Sequence, residues 1–182
     1  MRLPDLGPRI CILGPSNSGK STLAAAIGVT NGAAVIHLDQ LYHHPYSDWV
    51  PRPRDEFLNL HDRAIEGERW VIDGNYSKAF PQRFARATGL ILLDVSTTVS
   101  LARYFRRTLM ERRGRVGGLD GEQDSIKWMM IRHIALVTPG ARARYAELFK
   151  GSLLPKIYLN SARNVDRFYR REGLTPVRKR LF

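Results

Sequence analysis

A single cysteine, Cys11, stands among 182 residues, so no intrachain disulfide can form. A chain of this length buries a substantial core without such cross-links. Long apolar runs are missing too: none approaches the roughly 20 residues of a membrane-spanning helix. The amino terminus lacks the charged-then-apolar pattern of a secretory signal, its apolar stretch covering only residues 10–13. No internal repeat, low-complexity tract or linker interrupts the sequence. Hydrophobic residues at 43% and charged residues at 25% exclude collagen-like, coiled-coil and wholly disordered chains. These absences predict a soluble, reducing, cytoplasmic protein without a membrane partner, monomeric or homodimeric.

Acidic residues are also in short supply. Lys and Arg total 29 against 17 Asp and Glu, a net charge of +12. Such a field attracts phosphates, whether on nucleotides, nucleic acid or anionic lipid. Most of the basic residues are arginines, which suit bidentate phosphate contacts.

Short apolar runs alternate with helical stretches. The runs at 9–13, 33–38, 69–72, 90–95 and 156–160 are nearly continuous in apolar residues, as in parallel strands covered on both faces. Helices are expected over 18–29, 55–66, 97–113, 124–137, 141–150 and 164–171. In the third, Leu101, Phe105 and Leu109 share one stripe, and Arg103, Arg106 and Arg113 share another. Residues 114–121 are glycine-rich and break the pattern, so a mobile loop is expected there. The alternation predicts an α/β fold with right-handed crossovers.

The strongest signal is Gly14-Pro15-Ser16-Asn17-Ser18-Gly19-Lys20-Ser21, which fits the phosphate-binding P-loop in every fixed position. A strand is expected immediately before it and a helix immediately after. Gly14 and Gly19 permit backbone conformations that turn successive N–H groups toward a phosphate. The helix start adds partial positive charge. Gly14, Ser16, Asn17, Ser18, Gly19, Lys20, Ser21 and Thr22 are therefore the expected nucleotide-binding set. Lys20 is expected on the β and γ phosphates of ATP, Ser21 on Mg²⁺ and Thr22 on the α phosphate.

A P-loop of this kind works with a metal-organising carboxylate at a neighbouring strand end. Asp73 closes Trp70-Val71-Ile72-Asp73, and Asp39 follows Val35-Ile36-His37-Leu38. Both are expected at the carboxyl edge of the sheet, where open α/β folds bind ligands. Asp73 is assigned to the Mg²⁺ side, through water. Asp39 is assigned to the acceptor, as the group that orients a hydroxyl or takes its proton. A turn-capping role competes for each. Asp94, also at a strand end, is read as structural.

Gly14 to Thr22, then Leu38-Asp39-Gln40-Leu41-Tyr42, then Trp70-Val71-Ile72-Asp73-Gly74-Asn75-Tyr76, resemble the adenylate-kinase-like P-loop family labelled DNA topology modulation proteins. The match in order and spacing covers most of the chain. The resemblance implies a three-layer P-loop NTPase fold of nucleoside-monophosphate-kinase type, with a five-stranded parallel sheet ordered 2-3-1-4-5. It implies one kinase-like domain over 1–182, an acceptor-binding region about 40–68 and an arginine-rich lid about 112–140. The Asp39 element is similar to that of uridine and shikimate kinases, in which a carboxylate faces the acceptor. Two departures stand out. Asn17 replaces a frequent glycine. Asp73-Gly74-Asn75-Tyr76 replaces the Asp-Gly-Phe-Pro-Arg of adenylate kinases proper, which bears against AMP as acceptor.

Phosphoryl transfer depends on positioning and charge neutralisation, so arginines beside the glycine-rich loop matter. Arg106, Arg112, Arg113 and Arg115 flank it; Arg106 and Arg113 are assigned to catalysis, against the alternative of a solvated basic face. Arg142 and Arg144 are candidates for the far side of the lid. Arg83 is a candidate anion clamp for the acceptor. The turn at 160–163 borders the adenine ring in the resembled family, so Arg163 either stacks on the base or lies free on the surface. Tyr42, Tyr46 and Trp49 either line an acceptor pocket or pack their own small unit. Adjacent His43 and His44 lack zinc-ligand spacing. Cys11 is expected to be buried and inert.

The sequence thus predicts an ATP- and Mg²⁺-dependent phosphotransferase with an unidentified small-molecule acceptor. The alternatives are a nucleic-acid-binding P-loop ATPase acting on DNA topology, and a nucleotide-dependent regulator. No helix-turn-helix, zinc finger or RNA-binding aromatic motif favours the nucleic-acid reading.

Overall fold

The structure, a computed structural model, describes residues 1–110, 116–119, 128, 132 and 138–177. Five parallel strands form one sheet in the order β2-β3-β1-β4-β5. They are β1 (Arg9–Leu13), β2 (Ala34–His37), β3 (Trp70–Asp73), β4 (Gly89–Leu93) and β5 (Lys156–Leu159). Around them lie α1 (Lys20–Asn31), α2 (Leu38–Tyr42), α3 (Arg54–Ala64), α4 (Phe80–Arg86), α5 (Thr97–Met110), α6 (Thr138–Gly151) and α7 (Ala162–Arg171). The sheet order matches the expectation.

Side-chain alternation along β1 explains the layering. Ile10 and Ile12 join one apolar cluster with Leu23 and Ile27 of α1 and Phe168 of α7. Cys11 and Leu13 join the other, with Phe57 of α3, Phe80 of α4 and Phe149 of α6. Successive residues of a strand point to opposite faces, so a central strand covered on both sides must be apolar throughout. Each fully buried Leu or Ile contributes on the order of 1.5–3 kcal/mol through burial. Cys11 is fully buried, and burial pushes its thiol up to about 12.

Several boundaries differ from the sequence expectation. The helix after the P-loop starts at Lys20 rather than Ser18, because Gly19 holds φ +98° and cannot belong to a right-handed helix. Two short helices, α2 and α4, take the place of turns. Among the described side chains of α5, Ser100 and Tyr104 are buried, while Phe105, which shares a stripe with Leu101, is 38% exposed. The same helix turns Arg103 toward the P-loop, where its Nη1 donates to the carbonyl of Ser18. The helix expected over 124–137, and most of the lid expected over 112–140, lie outside the described residues. Among the described residues, no helix is long and apolar enough to cross a membrane.

Candidate active site

β1 ends at Leu13 and the chain turns sharply. Gly14 (φ +146°), Asn17 (φ +60°) and Gly19 (φ +98°) all hold left-handed backbone. Interspersing such residues in a short loop curls main-chain N–H groups into an anion-binding concavity. At Gly14 no other residue fits: a Cβ there would lie 2.2 Å from the Leu93 carbonyl oxygen. At Asn17 the left-handed conformation explains both observations from sequence. Glycine is the cheapest residue there, and asparagine the next best tolerated.

Parallel pairing across β1–β3 and β2–β3 sets the floor of the site. Ile12 lies opposite Asp73, and His37 lies opposite the same residue on the other side. Two side chains converge on its carboxylate. The Ser21 hydroxyl donates to Asp73 Oδ2 at 2.7 Å, and His37 Nδ1 stands 2.5 Å from Asp73 Oδ1. Lys20 arches across the loop, its Nζ donating to the Pro15 carbonyl at 2.8 Å. Ser18 is fully buried, and its hydroxyl has no hydrogen-bond partner among the described residues.

The segment after β3 grips the loop from below. Asn75 Oδ1 accepts the Gly14 N–H at 3.2 Å, and its Nδ2 donates to the Gly14 carbonyl at 2.6 Å. Tyr76 donates its hydroxyl to Asp39 Oδ1 at 2.7 Å. Burial, and then the nearby Asp39 carboxylate, push the Tyr76 hydroxyl far above the usual tyrosine range, so it stays a donor. Asp39 itself lies in the first turn of α2, one residue beyond Leu38, rather than in a turn after the strand.

Around Asp39 an aromatic group packs. Tyr42 meets Phe57 edge-on at 5.2 Å and Tyr76 at 4.7 Å between centroids, and Trp49 meets His43 at 5.0 Å. Tyr46, at 80% exposure, stays outside this cluster. Among the described residues, no group of three or more His, Cys, Asp or Glu is arranged to hold a metal ion.

Residues 116–119 of the glycine-rich loop lie over the Ser21–His37 side of the site. A Cβ at Gly117 would fall 2.9 Å from both His37 Nδ1 and Ser21 Cβ. Gln40 Nε2, next to Asp39, donates to the Gly118 carbonyl at 2.8 Å.

The remaining candidates scatter. Arg83 is fully buried beneath the 74–76 turn, donating to the carbonyls of Gly74 (2.9 Å) and Tyr76 (3.3 Å) and lying 4.8 Å from the Phe80 ring. It braces the turn and does not line an acceptor pocket. Arg142 pairs with Asp94 at 2.6 Å, and Tyr158 donates to the other oxygen at 2.7 Å, in keeping with the structural reading of Asp94. Arg144 lies over the Tyr145 ring. Arg106 is exposed on α5, and Arg163 is exposed in the first turn of α7. Ser16, Asn17 and Thr22 are half-buried in and just after the loop. Arg112, Arg113 and Arg115 lie outside the described residues. Sequence reasoning assigned no role to His37, Asn75, Tyr76 or Arg103. Each acts on a partner 36 to 85 residues away, so only the fold joins them. For His37 a signal existed: it is the polar residue that ends an otherwise apolar strand.

No protein-family model matches the chain, and no curated protein does. Solved structures do. A shikimate kinase from Acinetobacter baumannii, in complex with shikimate, superposes with a TM-score of 0.55 at 12% identity, covering 92% of each chain. A shikimate kinase from Bacteroides thetaiotaomicron gives 0.51 at 17% identity, covering 90% of this chain and 95% of that one. The likeness is one of fold: the five-stranded parallel P-loop kinase architecture. It lends no support to the DNA-topology label.

Proposed function

We propose that this chain is an ATP-dependent phosphotransferase acting on a small hydroxyl-bearing acceptor. The single observation that carries the reading is the Ser21–Asp73 contact at 2.7 Å beside Lys20, at the mouth of a correctly wound P-loop. The residues suit both partners. The Ser18 hydroxyl, without a partner among the described residues, and the Gly14 cradle fit a polyphosphate, and a hydroxyl with a carboxylate is the oxygen donor set of a hard cation. Ser21 and Asp73 are the residues that would hold Mg²⁺, which when bound neutralises charge on the phosphates.

The chain's own groups do the rest. Loop amides and Lys20 bind the β and γ phosphates, with Arg103 fixing the loop at Ser18. Asp39, oriented by the Tyr76 hydroxyl, takes the proton of the acceptor hydroxyl as its oxygen attacks the γ phosphorus, and the bond from that phosphorus to the bridging oxygen breaks, releasing ADP. Arg106 and Arg113 are the proposed lid arginines, and Arg163 the proposed base-side contact. The shikimate kinases with this architecture, one of them holding shikimate, support a small acceptor over a polymer.

Single-turnover assays with ATP and a panel of hydroxy acids, sugars, nucleosides and nucleotides test this. The expected result is an acceptor-dependent burst of ADP that disappears in Lys20→Ala. An ADP yield indifferent to every acceptor overturns it.

A nucleic-acid-binding ATPase is the second reading, favoured by Arg163, Arg167 and Arg170 exposed along α7 and by the +12 charge. It requires DNA or RNA binding with a steep salt dependence, and absence of binding at physiological salt rejects it.

A further inference from the structure

We propose that His37 is a positioning residue for the cation side of this site, holding Asp73 in the orientation that links nucleotide binding to a divalent cation. The inference rests on the reading of Asp73 as the cation-side carboxylate.

Three observations carry it. First, register: His37 and Asp73 are direct partners across β2–β3, so their side chains leave the sheet edge side by side. Second, geometry: the imidazole Nδ1 approaches Asp73 Oδ1 at 2.5 Å while Ser21 takes Oδ2 at 2.7 Å, so both carboxylate oxygens are tied down. An ionised carboxylate only accepts hydrogen bonds, which makes Nδ1 the protonated nitrogen of the ring. Third, enclosure: the two side chains are 11% and 6% exposed, and the main chain at Gly117 closes over the imidazole. The ring has little room to rotate away.

The consequence follows from counting donors. When the Ser21 hydroxyl is drawn to a cation, it no longer donates to Asp73. His37 is then the donor that remains on this carboxylate among the described residues. Groups that orient a metal-side carboxylate in this way typically tune metal affinity by about 10- to 100-fold.

The experiment is equilibrium titration of the full chain with ATP, in excess Mg²⁺ and again in EDTA. The ratio of the two affinities measures the link without any turnover. His37→Ala and His37→Leu are expected to lower the ratio by about 10-fold or more. In EDTA they are expected to bind as the wild type does. His37→Asn is expected to restore the ratio, because the asparagine Nδ2 stands close to where the histidine Nδ1 stood. Thermal melts and near-ultraviolet circular dichroism establish that each variant is folded.

Asp73→Asn is run beside them. If it loses the ratio while His37→Ala keeps it, the inference about His37 is wrong and the reading of Asp73 stands. If His37→Asn is as deficient as His37→Ala, donation by Nδ1 is not the function of the ring. If Asp73→Asn leaves the ratio at the wild-type value, the cation reading of Asp73 fails and takes the His37 inference with it.

Discussion

Asn75 does with a side chain what a strand does with its backbone. Its amide accepts from the Gly14 N–H and donates to the Gly14 carbonyl, which continues the β1–β3 ladder one step past the end of β3. The residue belongs to a motif that the sequence displays plainly, yet its task is invisible there, because Gly14 lies 61 positions away. Asn75→Asp should be worse than Asn75→Ala: the carboxylate keeps an acceptor for the N–H but sets a second oxygen against the Gly14 carbonyl. A loss of about 1–3 kcal/mol is expected for leaving these buried main-chain groups unmatched. Urea unfolding measures it, and ATP titration should show weaker binding in the same order. Equal stability of both variants with the wild type would remove Asn75 from the loop's support. By contrast, Gly14, Gly19, Lys20 and Ser21 were legible at once, since the loop's geometry is local and needs no distant partner.

Elements long enough to repeat their pattern were legible; short ones were not. The five strands and the helices α1, α3, α6 and α7 emerge near their expected places. α2 has five residues and α4 seven, fewer than two turns, and two turns is about the least over which a helical period can be told from chance. That matters for the site, because α2 carries both Asp39 and Gln40. Gln40 reaches the Gly118 carbonyl, and the neighbouring Gly117 (φ +72°) is pressed against Ser21 and His37. Any side chain at Gly117 meets those atoms and also strains the backbone, at a cost on the order of 1–3 kcal/mol. Gly117→Ala should therefore push the 116–119 segment off the loop. The expected outcome is faster release of bound ATP in stopped-flow fluorescence, with Lys20 and Asp73 left in place. A release rate equal to that of the wild type would mean that this segment does not retain the nucleotide.

At the scale of the molecule, composition raised an expectation about the class of ligand and little more. The charge of +12 pointed to phosphates but not to which, and the exposed arginines of α7 leave that field on the outside. The interior holds a different ionisable feature. His61 is fully buried, and burial, the largest influence, lowers its pKa below the usual histidine value despite the hydrogen bond to Asp62. Between the folded value and about 6.5, the unfolded chain binds a proton that the folded chain does not. Stability must then fall as pH falls through that window, and recover as pH rises above it. Melting temperatures between about pH 7.5 and pH 5 measure this, with His61→Phe expected to flatten the descent. Parallel descents for the two proteins would assign the pH dependence to other groups.

Cys11 sits in the middle of the central strand, sealed on both faces, and it is the chain's lone sulfhydryl. A thiol reagent can find it only when β1 is laid bare. Each labelling event therefore counts one opening of the sheet, so the protein carries its own clock for the lifetime of the folded state, with no probe needing to be introduced.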